Sequence, residues 1–413
     1  MPRHGPAAHL AAPWAAALLA VVACTEQRPA KRSDAPAFAG WYRATLNDGD
    51  GLEVPFFISL PADPGKHEAV VTNGRQWTAT EHRWSGKRVH VEFDVYATAI
   101  DATVDDTNTL VGSWTHKSRQ WSGTSLAFRA ERVEGPDAAL KFEASQGPPK
   151  ADFAGTWRLT TTDGKTAKLV VDHEGPAVVN ATIWFADGVS EFVSGNVSGA
   201  QAQLSTFDGV APSLLTLLRG DAGVKGMWIT NPDLDKRVVF TGKRVETFDL
   251  PAPVKVSAAD GRIGLPELEH PRYAGHPVIV QLVGSWCAHC KNAAPVMTKI
   301  HESLRPKGLQ MLTIDYEFTS DSSYNLERAA RLKKEYGITW QLITRDGSAD
   351  EFWKIVPTGL AGPEPFAAFP MTFFIRPNGK VHAYHAGFVG VESKEAHAQL
   401  VARFERWAGE LLH

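Results

Sequence analysis

The sequence is poor in cysteine and carries little net charge, and both shortages exclude classes of protein. Its 413 residues include only three cysteines, and the formal net charge is -3 at pH 7. Three cysteines cannot supply the dense disulfide framework of a small secreted domain. A nearly balanced charge gives no reason to expect a polybasic surface, and we therefore expect no nucleic-acid partner. The length and the 43% hydrophobic content fit a globular protein of roughly two to four domains.

Two of the three cysteines lie close together, in the Trp-Cys-Ala-His-Cys sequence of residues 286–290. An apolar, strand-like run precedes them at 277–283, and a segment of helical composition, interrupted by Pro295, follows. A strand that leads into Cys-x-x-Cys at the start of a helix is typical of a dithiol redox site. Cys287 would lie at the helix N-terminus, where free backbone N–H groups and the helix dipole favour a thiolate. Cys290, one turn later, would resolve a mixed disulfide.

The third cysteine, Cys24, ends a segment with the features of a secretion signal. Residues 1–23 combine a short basic start with an apolar stretch that is too short for a membrane-spanning helix. The final Val-Val-Ala-Cys resembles the bacterial lipobox, in which the cysteine is acylated, although an ordinary secretion signal is the alternative. Residues 24–37 would be a polar tether. Because Thr25 follows the cysteine in place of aspartate, the resemblance implies an outer-membrane lipoprotein that faces the periplasm.

Residues 38–133 predict an all-β domain. Short strand-like runs such as 52–60 and 89–95 are separated by turn clusters, and helical periodicity is absent. Residues 153–245 repeat the pattern in register, which predicts an internal duplication. The matching segments are Phe38-Ala39-Gly40 with Phe153-Ala154-Gly155, Phe93-Asp94 with Phe207-Asp208, Gly112-Ser113-Trp114 with Gly226-Met227-Trp228, and Arg132-Val133 with Arg244-Val245.

Linkers are predicted at 134–152 and 246–260, where proline, glycine and charged residues accumulate.

The role of the two β domains stays open at this point. They are either spacers with aromatic cores or binding modules whose tryptophans line a surface, and we favour cores because strand aromatics are usually buried. The tryptophans concerned are Trp77, Trp84, Trp114, Trp121 and Trp184.

Residues 261–413 alternate between strand and helix patterns, which predicts an α/β sandwich. The expected elements are strands near 278–283, 309–315 and 340–344, a helix over 326–336 with Leu326, Ala329, Ala330 and Leu332 on one face, a hairpin over 371–385 and a closing helix over 395–412.

This C-terminal region resembles a TlpA-like member of the thioredoxin superfamily. The supporting residues are the 286–290 sequence with Pro295, the Phe369-Pro370 pair before a strand, and the 376–381 hairpin. The resemblance implies a thioredoxin-like fold, thiol-disulfide exchange, and no cofactor other than a redox-active disulfide between Cys287 and Cys290. It also implies that Trp286 shields the cysteines, that Pro370 is cis and faces them, and that the backbone beside Phe369 binds substrate.

Three positions near the dithiol differ from the thioredoxin pattern or extend it. His289 replaces the proline common in TlpA-like reductases, and a histidine there stabilises the thiolate and raises the reduction potential. Gln281 stands where thioredoxins carry a buried acid. Glu317 falls where cytochrome-maturation reductases of the ResA and CcmG kind place a glutamate, so it is our candidate general base, with Asp315 as a weaker one.

Other functions fit the residues less well. A zinc site would need two further ligands near the cysteines, and only His382 and His385 are closely spaced. A peroxiredoxin-like site would need Thr or Ser where Gly284 stands. The rival function is a non-enzymatic, membrane-anchored binding or assembly lipoprotein whose thioredoxin-like domain is a scaffold. For the oxidoreductase we expect three partners: cysteine-containing extracytoplasmic proteins, a membrane electron donor or acceptor, and the membrane through the lipid on Cys24.

Overall fold

The structure is a computed structural model, and it describes residues 38–62, 68–93, 96–116, 123–137, 140–143, 146–185, 188–230, 234–247, 255–256, 261–317, 319, 321–346, 360–361 and 369–413. The predicted secretion signal, the tether with Cys24, and Trp121 lie outside these residues. None of the helices described is both long and apolar enough to cross a membrane.

Two closed, eight-stranded antiparallel barrels precede an α/β domain, which confirms the predicted fold class. In each barrel every strand pairs with its sequence neighbours, and the last strand closes on the first. The first barrel contains β1 (Gly40–Asn47), β2 (Glu53–Leu60), β3 (Ala69–Asn73), β4 (Gln76–Ser85), β5 (Arg88–Phe93), β6 (Thr98–Val104), β7 (Leu110–His116) and β8 (Ser125–Val133). The second contains β9 (Gly155–Thr161), β10 (Thr166–Glu174), β11 (Val178–Phe185), β12 (Ser190–Ser198), β13 (Gln201–Thr206), β14 (Ser213–Gly220), β15 (Gly223–Thr230) and β16 (Lys236–Val245).

Side chains fill the barrel interiors because apolar residues alternate with polar ones along the strands. In β5, for example, Val89, Val91 and Phe93 are buried. Trp114 is fully buried in the first barrel, as the core interpretation of the tryptophans predicts. That interpretation is wrong for Trp77, which is 58% exposed and packs edge-on against Trp41.

The two barrels repeat one another in hydrogen bonding as well as in topology. Arg132 Nη2 on the last strand of the first barrel donates to the Ala39 carbonyl at 2.9 Å. Arg244 Nη2, at the matching place in the second barrel, donates to the Asp152 carbonyl at 3.1 Å. Each arginine thus ties the closing strand to the chain that enters the barrel, which supports the predicted duplication.

Phe207 joins the barrels, because it follows β13 of the second barrel but lies in the core of the first. Its ring centroid is 4.7 Å from that of Phe56, 5.6 Å from that of Phe93 and 5.9 Å from that of Trp114. Several other residues of the second barrel extend the same apolar cluster, namely Val210, Leu214, Met227, Ile229 and Leu234.

Lys141, in the predicted first linker, makes a second connection between the barrels. Its side chain is fully buried, and the burial lowers the pKa of its amine well below the usual value. Nζ donates to Asn73 Oδ1 of the first barrel at 3.3 Å, and to the Ser194 and Ser205 carbonyls of the second at 3.0 and 2.8 Å. An ammonium group has three N–H donors, and here each has an acceptor.

The C-terminal domain is a five-stranded sheet with helices, and its strands lie side by side in the order Gln341–Asp346, Gln310–Glu317, Val278–Val283, Met371–Ile375 and Val381–Ala386. The first three of these strands are parallel to one another, and the fourth is antiparallel to both of its neighbours. The strands are β18 (Val278–Val283), β19 (Gln310–Glu317), β20 (Gln341–Asp346), β22 (Met371–Ile375) and β23 (Val381–Ala386), and a separate two-stranded sheet pairs β17 (Lys255–Val256) with β21 (Leu360–Ala361). The helices are α1 (Ala288–Leu304), α2 (Ser322–Glu335) and α3 (Glu395–Glu410), with 3₁₀ turns at Pro266–Glu269, Arg305–Lys307 and Val391–Ser393.

Two details of the helices differ from the sequence-based predictions. Pro295 does not interrupt α1, which runs through it with the loss of one backbone hydrogen bond. The predicted apolar face of α2 is wrong in part, because Leu326 and Ala330 are exposed. The buried face instead carries Asn325, Arg328, Ala329 and Leu332, and its two polar members belong to the site described below.

Removing the Phe207 ring should destabilise the barrel pair, because it leaves a cavity in the first barrel. We expect Phe207→Ala to lower the free energy of unfolding by about 3–5 kcal/mol. The measurement is urea denaturation followed by tryptophan fluorescence. Leu218→Ala is the matched control, since Leu218 is half exposed and its loss should cost no more than about 0.5 kcal/mol. Equal effects of the two substitutions would contradict the role of Phe207.

Candidate active site

The dithiol lies where the central strand of the sheet meets a helix. Strand β18 is buried along its whole length, and Cys287 is the N-cap of α1. Its Sγ accepts a hydrogen bond from Cys290 N at 3.2 Å. Both cysteines are free thiols, 6% and 3% exposed. A sulfur that accepts from a helix N-terminus is in the place where negative charge is best stabilised.

Cys290 differs from Cys287 in its environment. Burial raises the pKa of the Cys290 thiol well above its usual value, and the nearby Cys287 and Asp315 raise it further. Cys290 is therefore a neutral thiol at neutral pH, and it must lose a proton before it can attack a disulfide.

Phe369 and Pro370 face the dithiol from the start of β22. The peptide bond between them is cis, as predicted. Cys287 Sγ lies 3.7 Å from the Phe369 carbonyl oxygen, which accepts its S–H. The Phe369 side chain is half-buried in a small apolar cluster with both cysteines and Trp286.

Trp286 covers one side of this cluster and is fixed in position. Its Nε1 donates to the Tyr316 carbonyl at 2.7 Å, and its ring meets that of Phe369 edge-on at 5.5 Å between centroids. The ring also lies against Gly284, where a Cβ atom would be 2.3 Å from the indole. Only glycine leaves this room, which gives residue 284 a packing function.

Two carboxyl groups, Asp315 and Glu317, lie side by side beneath the dithiol loop. They are alternate residues of β19, so they share one face of the sheet, and both are fully buried. Ser285 N donates to Asp315 Oδ1 at 2.9 Å and to Glu317 Oε1 at 3.2 Å. Burial raises the pKa of both groups, and the charge of Glu317 raises the pKa of Asp315 further. Such a pair holds a proton more readily than isolated acids do.

Arg328 of α2 is the charged partner of this pair, and no motif in the sequence marked it as a site residue. Its Nε donates to Ser285 Oγ at 3.1 Å and lies 3.9 Å from Glu317 Oε2. The available signal was an arginine on the buried i, i+3, i+4 face of a helix, where a charge needs a partner. The arginine lowers the pKa of Glu317, in opposition to burial.

Gln281 occupies the interior position on β18 where the thioredoxin resemblance places a buried acid. It is buried, and its Nε2 donates to Thr372 Oγ1 at 3.3 Å. An amide cannot exchange a proton with Cys290, so the acid–base groups near this thiol come from β19. Among the described residues, no group of three or more His, Cys, Asp or Glu is arranged to hold a metal ion.

His289 and Lys291, on the first turn of α1, are half-buried and do not project freely into solvent. Burial lowers the pKa of His289, against the nearby Asp208, which raises it. Burial likewise lowers the pKa of Lys291 from 10.5 to about 8. Lys291 Nζ lies 4.9 Å from the ring centroid of Tyr96. Tyr96 and Asp208 belong to the first and second barrels; Asp208 was noted only as part of the Phe207-Asp208 repeat match, and no motif connected either residue with the dithiol.

Part of the chain is similar to known thioredoxin-family proteins. The thioredoxin family model matches residues 270–327. The thiol-disulfide oxidoreductase ResA of Oceanobacillus iheyensis is 21% identical over 42% of this chain and 79% of its own length. ResA of Bacillus cereus is 25% identical over 40% of this chain and 82% of its own length. A solved thiol:disulfide interchange protein of the thioredoxin family from Chlorobium tepidum is 20% identical, covers 34% of this chain and 81% of that chain, and has a TM-score of 0.24.

The C-terminal domain is therefore a thioredoxin-like thiol-disulfide oxidoreductase domain, with ResA-like relatives. The matched segment begins within the α/β domain and leaves both barrels outside it. Similarity of this kind describes the dithiol domain and gives no function to the barrels.

The buried Asp315 makes stability depend on pH in a specific direction. Its folded-state pKa is above the unfolded value, so the native state binds more protons between these two values, and stability falls as the pH rises through them. Asp315→Asn removes this titration and keeps an acceptor for Ser285 N. We expect the variant to be more stable than the wild type at pH 8. The gain should be about 1.4 kcal/mol for each tenfold difference in the proton affinity of Asp315 between the folded and unfolded states.

Urea unfolding at pH 4 and pH 8 tests this expectation. At pH 4 the wild-type carboxyl is already neutral, so the two proteins should be similar in stability. A stability difference that is the same at both pH values would contradict the buried, proton-holding state of Asp315. Glu327→Gln on the exposed face of α2 is the control for loss of one negative charge.

Proposed function

We propose that this chain exchanges disulfides with cysteine-containing proteins outside the cytoplasm, through its Cys287–Cys290 pair. The observation that carries the proposal is the unequal state of the two sulfurs. Cys287 Sγ accepts a hydrogen bond from the N-terminus of α1, whereas Cys290 is a buried thiol one turn later. This asymmetry is what a nucleophile and a resolving thiol require.

In the reductive direction, the Cys287 thiolate attacks one sulfur of a target disulfide. That S–S bond breaks, a mixed disulfide forms, and the leaving thiolate takes a proton. Cys290 then loses its proton and attacks Cys287 Sγ, which releases the second target thiol and leaves Cys287 and Cys290 joined. Two electrons pass from the dithiol to the target. The oxidative direction is the same sequence in reverse.

The proton of Cys290 passes to the carboxyl pair of Asp315 and Glu317. Their pKa values are raised by burial, which brings a carboxyl closer to the proton affinity of a thiol. Asp315 is the member whose charge acts on Cys290, and Glu317 is held by Ser285 and Arg328. Glu317, the residue favoured from sequence, thus acts with Asp315 as one unit.

The remaining site residues have positioning roles in this proposal. Trp286 excludes water from the side of the dithiol, and the backbone beside Phe369 and Pro370 binds the substrate chain next to Cys287. No cofactor besides the disulfide takes part. A protonated His289 would favour the reduced form and raise the reduction potential, but burial lowers the pKa of this histidine and weakens that effect, while Asp208 opposes the lowering.

Location and partners follow from the N-terminal sequence. The lipobox-like end of residues 1–23 supports acylation of Cys24 and an outer-membrane lipoprotein that faces the periplasm. Such an anchor would place the dithiol near a membrane electron donor or acceptor.

Redox titration of the Cys287–Cys290 pair decides the direction of electron flow, with a potential near about -270 mV expected for a reductase and about -120 mV for an oxidase. A pair that resists dithiothreitol, with an unreactive Cys287, would support the non-enzymatic scaffold.

Removing the resolving thiol should trap the substrate. We expect Cys290→Ala to accumulate mixed disulfides on Cys287, because nothing remains to displace the bound protein. The measurement is non-reducing electrophoresis of the full chain from its own envelope after acid quenching, with mass spectrometry of the trapped partners. Cys287→Ser in the same background is the control and should trap nothing. The proposal fails if Cys290→Ala yields no adducts.

Loss of the carboxyl pair should slow resolution without preventing the first attack. In Glu317→Gln and Asp315→Asn we expect the rate of mixed-disulfide resolution at neutral pH to fall by about a hundredfold. The rates should recover at higher pH, where the Cys290 thiol loses its proton without help from a carboxylate. Quenched-flow kinetics with a chromogenic aryl disulfide separate the two steps. A matched effect in the surface variant Glu327→Gln would rule out a specific role.

A further inference from the structure

The helix that carries the dithiol packs against the barrels. Ala288, between the two cysteines in sequence, contacts the apolar cluster at the core of the first barrel. Lys291 Nζ lies over the ring of Tyr96 at 4.9 Å from its centroid. Tyr96 is 7% exposed and follows β5 of the first barrel, and its phenol lies within electrostatic range of Cys287.

Asp208 of the second barrel is held at the same junction. Its neighbour Phe207 is anchored in the first barrel, where Asn73 Nδ2 donates to the Phe207 carbonyl at 2.8 Å. Thr98 Oγ1 donates to the Gly209 carbonyl, and Asp208 Oδ1 accepts from Val210 N at 3.0 Å. The fixed carboxyl lies within electrostatic range of His289 and Lys291 on the dithiol helix.

A third contact reaches the other side of the dithiol, beside Pro370. Gly387 N donates to the Pro370 carbonyl at 2.8 Å. Gly387 also lies against the second barrel, because a Cβ atom on it would be 2.1 Å from the Gly188 carbonyl oxygen. Nearby, Thr182 Oγ1 and Ser393 Oγ are hydrogen-bonded at 2.7 Å. The barrels therefore touch both the first turn of α1 and the segment that supports Pro370.

We propose that the two barrels form a wall of the substrate cleft, with Tyr96 and Asp208 as the residues that determine which disulfides reach Cys287. The inference rests on the proposed function and names its substrate class. Cys287 is 6% exposed, and among the described residues the wall beside it narrows the approach that a folded protein would need. A disulfide on an extended, flexible segment needs only a narrow approach, because the attacking sulfur must reach one target sulfur along the S–S axis.

Two substrates of different shape test the role of Tyr96 in the full-length, reduced protein. One is a short unstructured peptide closed by a single disulfide, and the other is folded insulin. We expect the wild type to reduce the peptide at least about tenfold faster, and Tyr96→Ala to reduce that preference to roughly twofold by opening the wall. Tyr96→Phe keeps the ring and should keep the preference. If Tyr96→Ala keeps the wild-type preference for the peptide over insulin, the inference is overturned.

The role of Asp208 is tested by comparing rates with differently charged substrates, and the substitution removes no packed ring. Asp208→Asn removes the anionic neighbour of His289 and one of those of Lys291, which keeps Glu335, so the cleft becomes more positive. We expect the rate with a peptide disulfide flanked by glutamates to rise about threefold relative to one flanked by lysines. Asp221→Asn is the control, since Asp221 is an exposed acid in the β14–β15 turn at the opposite end of the same barrel. Equal behaviour of the two variants overturns the assignment of Asp208.

The wild-type rates separate failure of this inference from failure of the proposed function. A reduced wild-type protein that reacts with neither substrate overturns the exchange function, and the cleft assignment with it. A wild type that reduces both substrates equally well, with unchanged rates in the variants, retains the function and overturns only the role of the barrels. Circular dichroism and gel filtration must be unchanged in each variant, and Asp208→Asn carries the test if Tyr96→Ala fails to fold.

Discussion

A single apolar cluster is the constraint on which the arrangement of the domains depends. It begins in the core of the first barrel, takes in Phe207 and one end of the second barrel, and reaches Ala288 at the start of the dithiol helix. Burial of apolar surface stabilises such a contact in proportion to its area and has no preferred direction. Direction is supplied by hydrogen bonds around its margin, such as those from Asn73 and Thr98. The reactive sulfur is thereby fixed relative to both barrels.

Charge is concentrated around the dithiol, where burial makes it most costly. Asp315 and Glu317 lie below the loop, Arg328 compensates part of their charge, and Lys291 lies between the domains. Isolated charges in such places usually change protonation state before they disrupt a fold. The site thus retains proton-exchanging groups at a stability cost, which is typical of a functional position rather than a structural one.

The chemistry of the site was predictable from sequence, but its surroundings were not. Cys-x-x-Cys after an apolar strand, and Phe369-Pro370 before another, are local patterns that carry the thioredoxin resemblance, and the cis bond found here was expected from that resemblance. The barrels were predicted as all-β from strand alternation. The proximity of Tyr96 and Asp208 to the dithiol helix could not be predicted, because it joins distant parts of the chain, and the repeat that includes Asp208 says nothing about the dithiol.

The buried amine of Lys141 makes the two barrels dependent on one another during folding. One of its acceptors, on Asn73, precedes it in the chain, and the other two, at Ser194 and Ser205, belong to strands that are synthesised later. Until the second barrel has formed, the amine has to remain hydrated, because a buried ammonium with missing acceptors is strongly unfavourable. A nascent first barrel therefore lacks two of the three acceptors for the Lys141 amine. The pair should reach its final state in one cooperative step, late in the emergence of the chain.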